Sequence, residues 1–150
     1  MIRVAVTGAA GRMGKTLVQA IHEADDLELG AALEHPESPD IGRDAGELAG
    51  IGACGVMVNA DPADHLGEFD VVIDFTAPVA TLALSQVCRA AGKGMVIGTT
   101  GFTPEQLDNL HEAAADAALF MAPNMSLGVN LVFELIEIAA RALGDTVDVE

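Results

Sequence analysis

The chain contains no tryptophan and no tyrosine, and its five phenylalanines bring aromatic residues to only 3% of 150 positions. A core of interlocked rings is therefore excluded. With 51% hydrophobic residues, the interior has to be assembled from Ala, Val, Leu, Ile and Met, the usual filling between helices and a parallel sheet. Cysteine is scarce as well. Cys54 and Cys88 lie far apart without CxxC spacing, which excludes a zinc knuckle or a redox pair and leaves buried free thiols as the expectation. Basic residues number seven against 23 acidic ones, for a formal charge of −16. That balance argues against nucleic acid or an anionic membrane as partner. An anionic ligand would have to be held locally, by helix N-termini and a few placed cations. No apolar run reaches about 18 residues, and Met1-Ile2-Arg3-Val4-Ala5-Val6 enters a strand pattern with no charged leader, so a soluble, cytoplasmic protein is expected. The four histidines, His22, His35, His65 and His111, are scattered. No pair has metal-ligand spacing, and no metal site is expected.

Glycine, by contrast, is plentiful: 16 residues, above the average share of about 7%, standing singly between apolar runs as turns and close-approach points. Runs of four to seven apolar residues alternate with segments of helical period, the pattern of a parallel sheet wound by crossover helices. Strands are predicted at Ile2 to Thr7, Leu27 to Glu34, Val56 to Asn59, Asp70 to Asp74, Met95 to Gly98 and Leu119 to Ala122. Helices are predicted at Arg12 to Glu23, Val79 to Ala91, Thr103 to Ala117 and Leu127 to Leu143, with a short one at Asp44 to Ala49. Thr103-Pro104-Glu105-Gln106 reads as a capping box with proline at the first helical position, and Pro78 heads the Val79 helix. The least regular stretch runs from His35 to Gly55. No repeat or charged linker divides the chain, so residues 1–150 are read as one domain. After Gly144, the sequence Asp145-Thr146-Val147-Asp148-Val149-Glu150 alternates like a strand entering a new sheet, and a further domain is expected to begin at about 145–150.

The clearest local signal is Gly8-Ala9-Ala10-Gly11-Arg12-Met13-Gly14, directly after the first strand and opening the first helix. Glycines in that place permit a tight turn and let the backbone approach a pyrophosphate held at the helix N-terminus. The spacing, GxxGxxG, is a variant of the commoner GxGxxG, and a triplet alone is also what a plain strand-to-helix turn contains. Glu34 closes the second strand 20 residues after Gly14, where an acid accepting hydrogen bonds from an adenosine ribose is expected. Together these point to a Rossmann-type doubly wound α/β fold, a mainly parallel sheet with helices on both faces, binding a dinucleotide. Arg12 is a candidate second phosphate contact, or else a solvated arginine. His35, beside Glu34, is either a partly charged neighbour for a 2′-phosphate or an uninvolved loop residue. Phe75-Thr76, Gly98-Thr99-Thr100-Gly101 and Ala122-Pro123-Asn124-Met125-Ser126 follow three later strands. Each alone could be a turn, but all fall at the carboxyl edge of the sheet, where ligands bind in open α/β folds.

Val6-Thr7-Gly8-Ala9-Ala10-Gly11-Arg12-Met13-Gly14, Phe75-Thr76, Gly94-Met95-Val96-Ile97-Gly98-Thr99-Thr100-Gly101-Phe102 and Asn124-Met125-Ser126-Leu127-Gly128-Val129-Asn130 resemble, in order, the signatures of the 4-hydroxy-tetrahydrodipicolinate reductases of diaminopimelate and lysine biosynthesis. The GTTGF and NxSxGVN pair is far more specific than a glycine triplet. The resemblance implies hydride transfer from NADH or NADPH to a cyclic, unsaturated dicarboxylate. It places Gly8, Ala9, Ala10, Gly11, Arg12 and Met13 at the pyrophosphate, Glu34 at the adenosine ribose with His35 next to it, and Gly98, Thr99, Thr100, Ala122, Pro123, Asn124 and Met125 on the nicotinamide side, with Thr100 also at the substrate; Phe75 and Thr76 are candidate walls of that side by their place at the sheet edge. It further implies a homotetramer for the full-length form.

Two departures stand out. Many relatives place arginine where this chain has His35, and an aromatic where it has Met125; the first favours NADH at least as much as NADPH, and the second exchanges one apolar wall for another. The family's catalytic motif, rich in His and Lys, belongs to a second domain beginning near Glu150. No catalytic residue is therefore assigned, Ser126 lacking a nucleophile-elbow setting, and this chain alone is expected to bind cofactor with little or no turnover. The alternatives are the cofactor domain of another two-domain dehydrogenase, such as an aspartate-semialdehyde or homoserine type, and a non-catalytic dinucleotide sensor.

Overall fold

A computed structural model describes residues 1–144; the alternating stretch at 145–150 lies outside the described residues. Eleven regular elements follow one another as β1 (Ile2–Thr7), α1 (Arg12–Glu23), β2 (Leu27–Leu33), α2 (Ala45–Ala49), β3 (Val58–Asn59), β4 (Val71–Asp74), α3 (Pro78–Ala91), β5 (Gly94–Ile97), α4 (Pro104–Ala114), β6 (Leu119–Met121) and α5 (Leu127–Leu143), with a 3₁₀ turn at Pro62–His65. The six strands form one sheet in the order β3-β2-β1-β4-β5-β6. Every ladder is parallel, so the expected doubly wound α/β architecture is present.

Alternation along β1 shows how the two faces are made. Val4 and Val6 join Val18 and Ile21 of α1, Ala32 of β2 and Ala45 and Ala49 of α2 in one cluster. Ala5 points the other way, into a second cluster with Phe69, Val72, Leu84, Cys88, Met95 and Leu110, where α3 and α4 pack. Period two in the strand thus feeds two layers of helices. On α1 the buried residues Gly14, Val18 and Ile21 recur at helical spacing, as do Thr81, Leu84, Ser85 and Cys88 on α3, each making one inward stripe. The chain moves outward from β1 to β3 and then returns to β4 on the other side of β1. This reversal separates the loops after β1 and β4 and opens a crevice at their carboxyl ends.

Besides element ends that move by one residue, as those of β2, β4, β5 and β6 do, four details differ from the sequence reading. β3 starts at Val58 rather than Val56 because Met57 pairs antiparallel with Asp44 and the Val56 carbonyl accepts from the Ala45 N–H at 2.9 Å. α4 ends at Ala114, three residues early. The 3₁₀ turn has no counterpart among the predicted elements; Asp61 caps it by accepting from the Ala63 N–H at 2.8 Å. Finally, the thiols part company. Cys88 is buried, and burial, with the negative Asp74 nearby, pushes its thiol up to about 11. Cys54 is exposed, a correction to the expectation: its loop is anchored at the surface by a carboxylate that accepts from the Cys54 N–H.

That anchor is Asp44. Its carboxylate accepts from Gly46 and Glu47 N–H at 2.8 and 3.1 Å, capping α2, and from Cys54 and Gly55 N–H at 3.1 and 2.7 Å. These donors, that of Cys54 first, hold the carboxyl down at about 2. Across the sheet, Asp70 accepts from the Arg3 side chain, its terminal nitrogen at 2.6 Å, and from the Arg3 backbone N–H, and it too is lowered to about 2.

Among the described residues no helix is long and apolar enough to cross a membrane. α5 is nevertheless apolar over most of its circumference, with Leu127 89%, Leu131 60%, Phe133 57% and Ile138 61% exposed. Its polar residues, Asn130, Glu134, Glu137 and Arg141, form a single stripe.

Two outcomes are expected. Because both Asp44 and Asp70 bind protons more weakly folded than unfolded, the stability they contribute is present above about pH 4 and disappears as pH falls towards 2. Urea melts between pH 6 and pH 2 should show that loss, and Asp44→Asn should flatten part of it. The bare α5 face should drive self-association, visible as a concentration-dependent sedimentation coefficient from micromolar to millimolar protein; a sharp monomer throughout would contradict it.

Candidate functional site

β1 ends at Thr7, and Gly8 turns the chain with a left-handed φ of +62°, a conformation that costs a side-chain-bearing residue about 1 kcal/mol or more. The Gly11 N–H closes the turn on the Gly8 carbonyl at 2.9 Å. α1 then crosses directly over this turn: a Cβ on Gly14 would lie 2.1 Å from the Gly8 carbonyl oxygen and 2.6 Å from the Ala9 Cα. Only hydrogen fits there.

α1 starts without a side-chain cap, its N-cap being Gly11. Asp44, Thr103 and Ser126 supply caps to α2, α4 and α5, Thr103 through the full capping box expected from the sequence. α3 resembles α1 in having none. The two uncapped helix ends therefore follow β1 and β4, the strands on either side of the reversal, and bring unsatisfied N–H groups to one edge. Of the seven basic residues, Arg3, Arg43, Arg89 and Arg141 are ion-paired, and the Lys93 ammonium donates to the Phe69 carbonyl at 2.8 Å. Arg12 and Lys15 have no side-chain partner among the described residues. Both sit on the first turn of α1, which carries no acid.

Glu34 lies beside this turn. One carboxylate oxygen accepts from the Ala10 N–H at 3.1 Å, the other from the His35 N–H at 3.0 Å, which leaves lone pairs on both for a further donor. Ala9 is committed differently, its N–H bonding the Leu33 carbonyl at 3.1 Å. Glu34 and His35 open onto a cavity of about 540 Å³ that reaches Thr7, Asp74 and Thr76 and is walled by Pro36, Asp61 and the small residues Ala80 and Ala83 of α3. Pro36, Asp61 and the alanines were not nominated from the sequence. The only signal for Ala80 and Ala83 was small residues at the start of the Val79 helix.

The loops after β4 and β5 meet closely. Phe75 covers Gly98 so tightly that a Cβ there would lie 2.0 Å from the ring, and the Thr76 N–H donates to the Thr99 hydroxyl at 3.0 Å. Thr99 is buried, whereas Thr100 is exposed. Thr99, Thr100, Phe102, Met121 and Pro123 line a second cavity of about 280 Å³, which holds no titratable side chain among the described residues. Gly8 also adjoins this region, since a Cβ on it would come within 3.2 Å of the Thr76 methyl. Ala122 is held at the sheet edge by donating to the Ile97 carbonyl at 3.2 Å.

Asn124 and Met125 line neither cavity. Asn124 accepts from the Ser126 N–H at 2.8 Å, and the Asn130 amide donates to the Asn124 and Ser126 carbonyls at 3.2 and 3.0 Å. The NxSxGVN pattern is thus the polar lock that starts α5.

The family described as the N-terminus of dihydrodipicolinate reductase matches residues 2–125. A 4-hydroxy-tetrahydrodipicolinate reductase from Nitrosomonas eutropha is 51% identical over 150 residues, all of this chain and 56% of that protein. One from Acinetobacter baumannii is 53% identical over 148 residues, 99% of this chain and 54% of its own. Among solved structures, dipicolinate-bound dihydrodipicolinate reductase from Paenisporosarcina sp. TG-14 is 29% identical with a TM-score of 0.75, over 93% of this chain and 54% of that one. The chain therefore spans a little over half the length of these relatives.

Gly14→Ala should force α1 off the turn and cost roughly 1–3 kcal/mol, the usual penalty of overpacking. Chemical denaturation would measure it, and an unchanged midpoint would contradict the close crossing.

Proposed function

This chain belongs to the family of the dihydrodipicolinate reductase N-terminus, and from that premise we propose that it binds a nicotinamide dinucleotide at the β1–β4 reversal. The head of α1 carries the argument. Two unpartnered cations and no acid in the first turn are the wrong charges for a bare helix N-terminus, whose dipole already ends positive. They become the right charges once an anion of about two units, such as a pyrophosphate, occupies that end. In a chain of formal charge −16, such placement favours one anionic ligand locally against the overall field.

The remaining groups fit the rest of such a ligand. Gly8, Ala9, Ala10, Gly11, Arg12 and Met13 take the pyrophosphate side, while the spare lone pairs of Glu34 accept from the adenosine ribose. The largely apolar cavity beside Pro36, Ala80 and Ala83 suits a flat base. Gly98, Thr99, Thr100 and the Ala122–Met125 segment form the nicotinamide side, with Thr100 facing the substrate. The bound nicotinamide supplies the hydride. In the whole protein, as the relatives' names suggest, that hydride goes to a cyclic dicarboxylate of the diaminopimelate and lysine route. The cavity beside Thr100 offers no acid or base among the described residues, so protonation and recognition of the dicarboxylate fall to groups beyond them, and this chain alone turns over little substrate.

Cofactor choice rests on Glu34 and His35. A carboxylate repels a 2′-phosphate, and an imidazole offsets that repulsion only when protonated. Calorimetric titration with NADH and NADPH at pH 6 and pH 8 should give NADH binding at least as tight as NADPH, with NADPH gaining at the lower pH. A strong NADPH preference at pH 8 overturns the assignment to Glu34 and His35, and no binding of either nucleotide overturns the proposal itself.

A further inference from the structure

We propose that Asp74 is a positioning residue for the cofactor cleft: its buried carboxylate draws the hydroxyl protons of Thr7, Thr76 and Thr99 inward, so that these three hydroxyls offer a ligand only hydrogen-bond acceptors. This rests on the dinucleotide reading above and extends it to a group that neither the glycine loop nor the family signatures single out.

Asp74 closes β4 and is 1% exposed. One of its oxygens accepts from the hydroxyls of Thr7 at 2.5 Å and Thr76 at 2.6 Å. The other accepts from Thr81 and, at 3.2 Å, from Thr99. No lysine, arginine or histidine touches it among the described residues. A carboxylate has about four lone-pair sites and no proton to give, while each hydroxyl has one proton. Four hydroxyls fill four sites only if all of them point inward. The competing acceptors are longer for Thr7, whose distance to the Ile73 carbonyl is 3.2 Å, and for Thr81, which lies 3.1 Å from the Ala77 carbonyl; Thr99 has the Thr81 hydroxyl at 3.0 Å, nearer than the carboxylate oxygen at 3.2 Å. Choosing any of these three would leave a buried carboxylate lone pair empty, which costs more than the bond gained.

The four threonines come from four segments: the end of β1, the loop after β4, the first turns of α3 and the loop after β5. Thr99 binds two of these together, since it gives its proton to Asp74 and accepts from the Thr76 N–H at 3.0 Å. Thr7 and Thr76 line the 540 Å³ cavity and Thr99 the 280 Å³ one. One carboxylate therefore sets the proton direction on both sides of the cleft. With their protons spent, Thr7 and Thr76 can accept from a ribose hydroxyl or a carboxamide N–H and repel a phosphate oxygen, which is directed instead to the head of α1.

The test uses this chain and NADH. Asp74→Asn keeps the shape and replaces one acceptor by a donor, so two hydroxyls lose their acceptor and must turn; the dissociation constant should rise at least tenfold while the circular dichroism stays native. Thr76→Ser, which retains the hydroxyl, should bind within twofold of the parent, and Thr76→Val should lose at least fivefold. Because Asp74 acts through that hydroxyl, Asp74→Asn combined with Thr76→Val should be no worse than the weaker single variant. Multiplying fold-losses would mean that Asp74 merely supports the fold, and either that result or parental affinity in Asp74→Asn overturns the proposal. If Asp74→Asn does not fold, the serine and valine variants of Thr7 and Thr76 decide it, equal affinity of both valine variants being the overturning result. A parent chain that binds no NADH instead overturns the dinucleotide reading, which separates the two failures.

Discussion

The passage of α1 across the turn after β1, at a distance that admits no side chain on Gly14, is the constraint on which the rest of this molecule depends. It forces the helix axis to aim its first turn at the crevice, and it leaves Gly11, with no side chain to cap, at the N-cap. An uncapped end is ordinarily a cost. Here it lies where strand order reverses, next to the only two basic side chains that have no partner among the described residues, so the fold concentrates positive potential at one point of an acidic chain.

Around that point the structure is held by acids that accept in several directions at once. Asp44 ties a loop to a helix cap through backbone N–H groups, Glu34 joins the second strand to the glycine turn, and Asp74 collects hydroxyls from four segments. Carboxylates do this well because they offer several lone pairs and no proton of their own. The core itself has little directional character. Small aliphatic side chains fill both faces of the sheet, and Phe69 is its largest fully buried member.

Much of this architecture is legible in the residues because it is local. β1 and α1 coincide with the spans read from periodicity, and the Thr103 to Gln106 capping box forms as its spacing dictates. α5 likewise runs from Leu127 to Leu143. The less legible parts involve partners far apart in the chain. β3 is two residues shorter than its apolar pattern predicts because nothing near Val56 reveals that Asp44 will pair with Met57. Cys54 was expected inside, as cysteines usually are, yet its loop is held by its N–H. Asp74 passed as the polar end of a strand, since its four hydroxyl partners are spread from Thr7 to Thr99.

By itself, then, the sequence determined the alternation of strand and helix, the turn chemistry at Gly8 to Gly14 and the charge balance, because each depends on neighbours within a few residues or on composition alone. Tertiary structure decided which helix ends stay uncapped at one edge, which cations remain unpaired and which hydroxyls share a carboxylate. These depend on the strand order β3-β2-β1-β4-β5-β6, which brings positions dozens of residues apart within hydrogen-bonding distance.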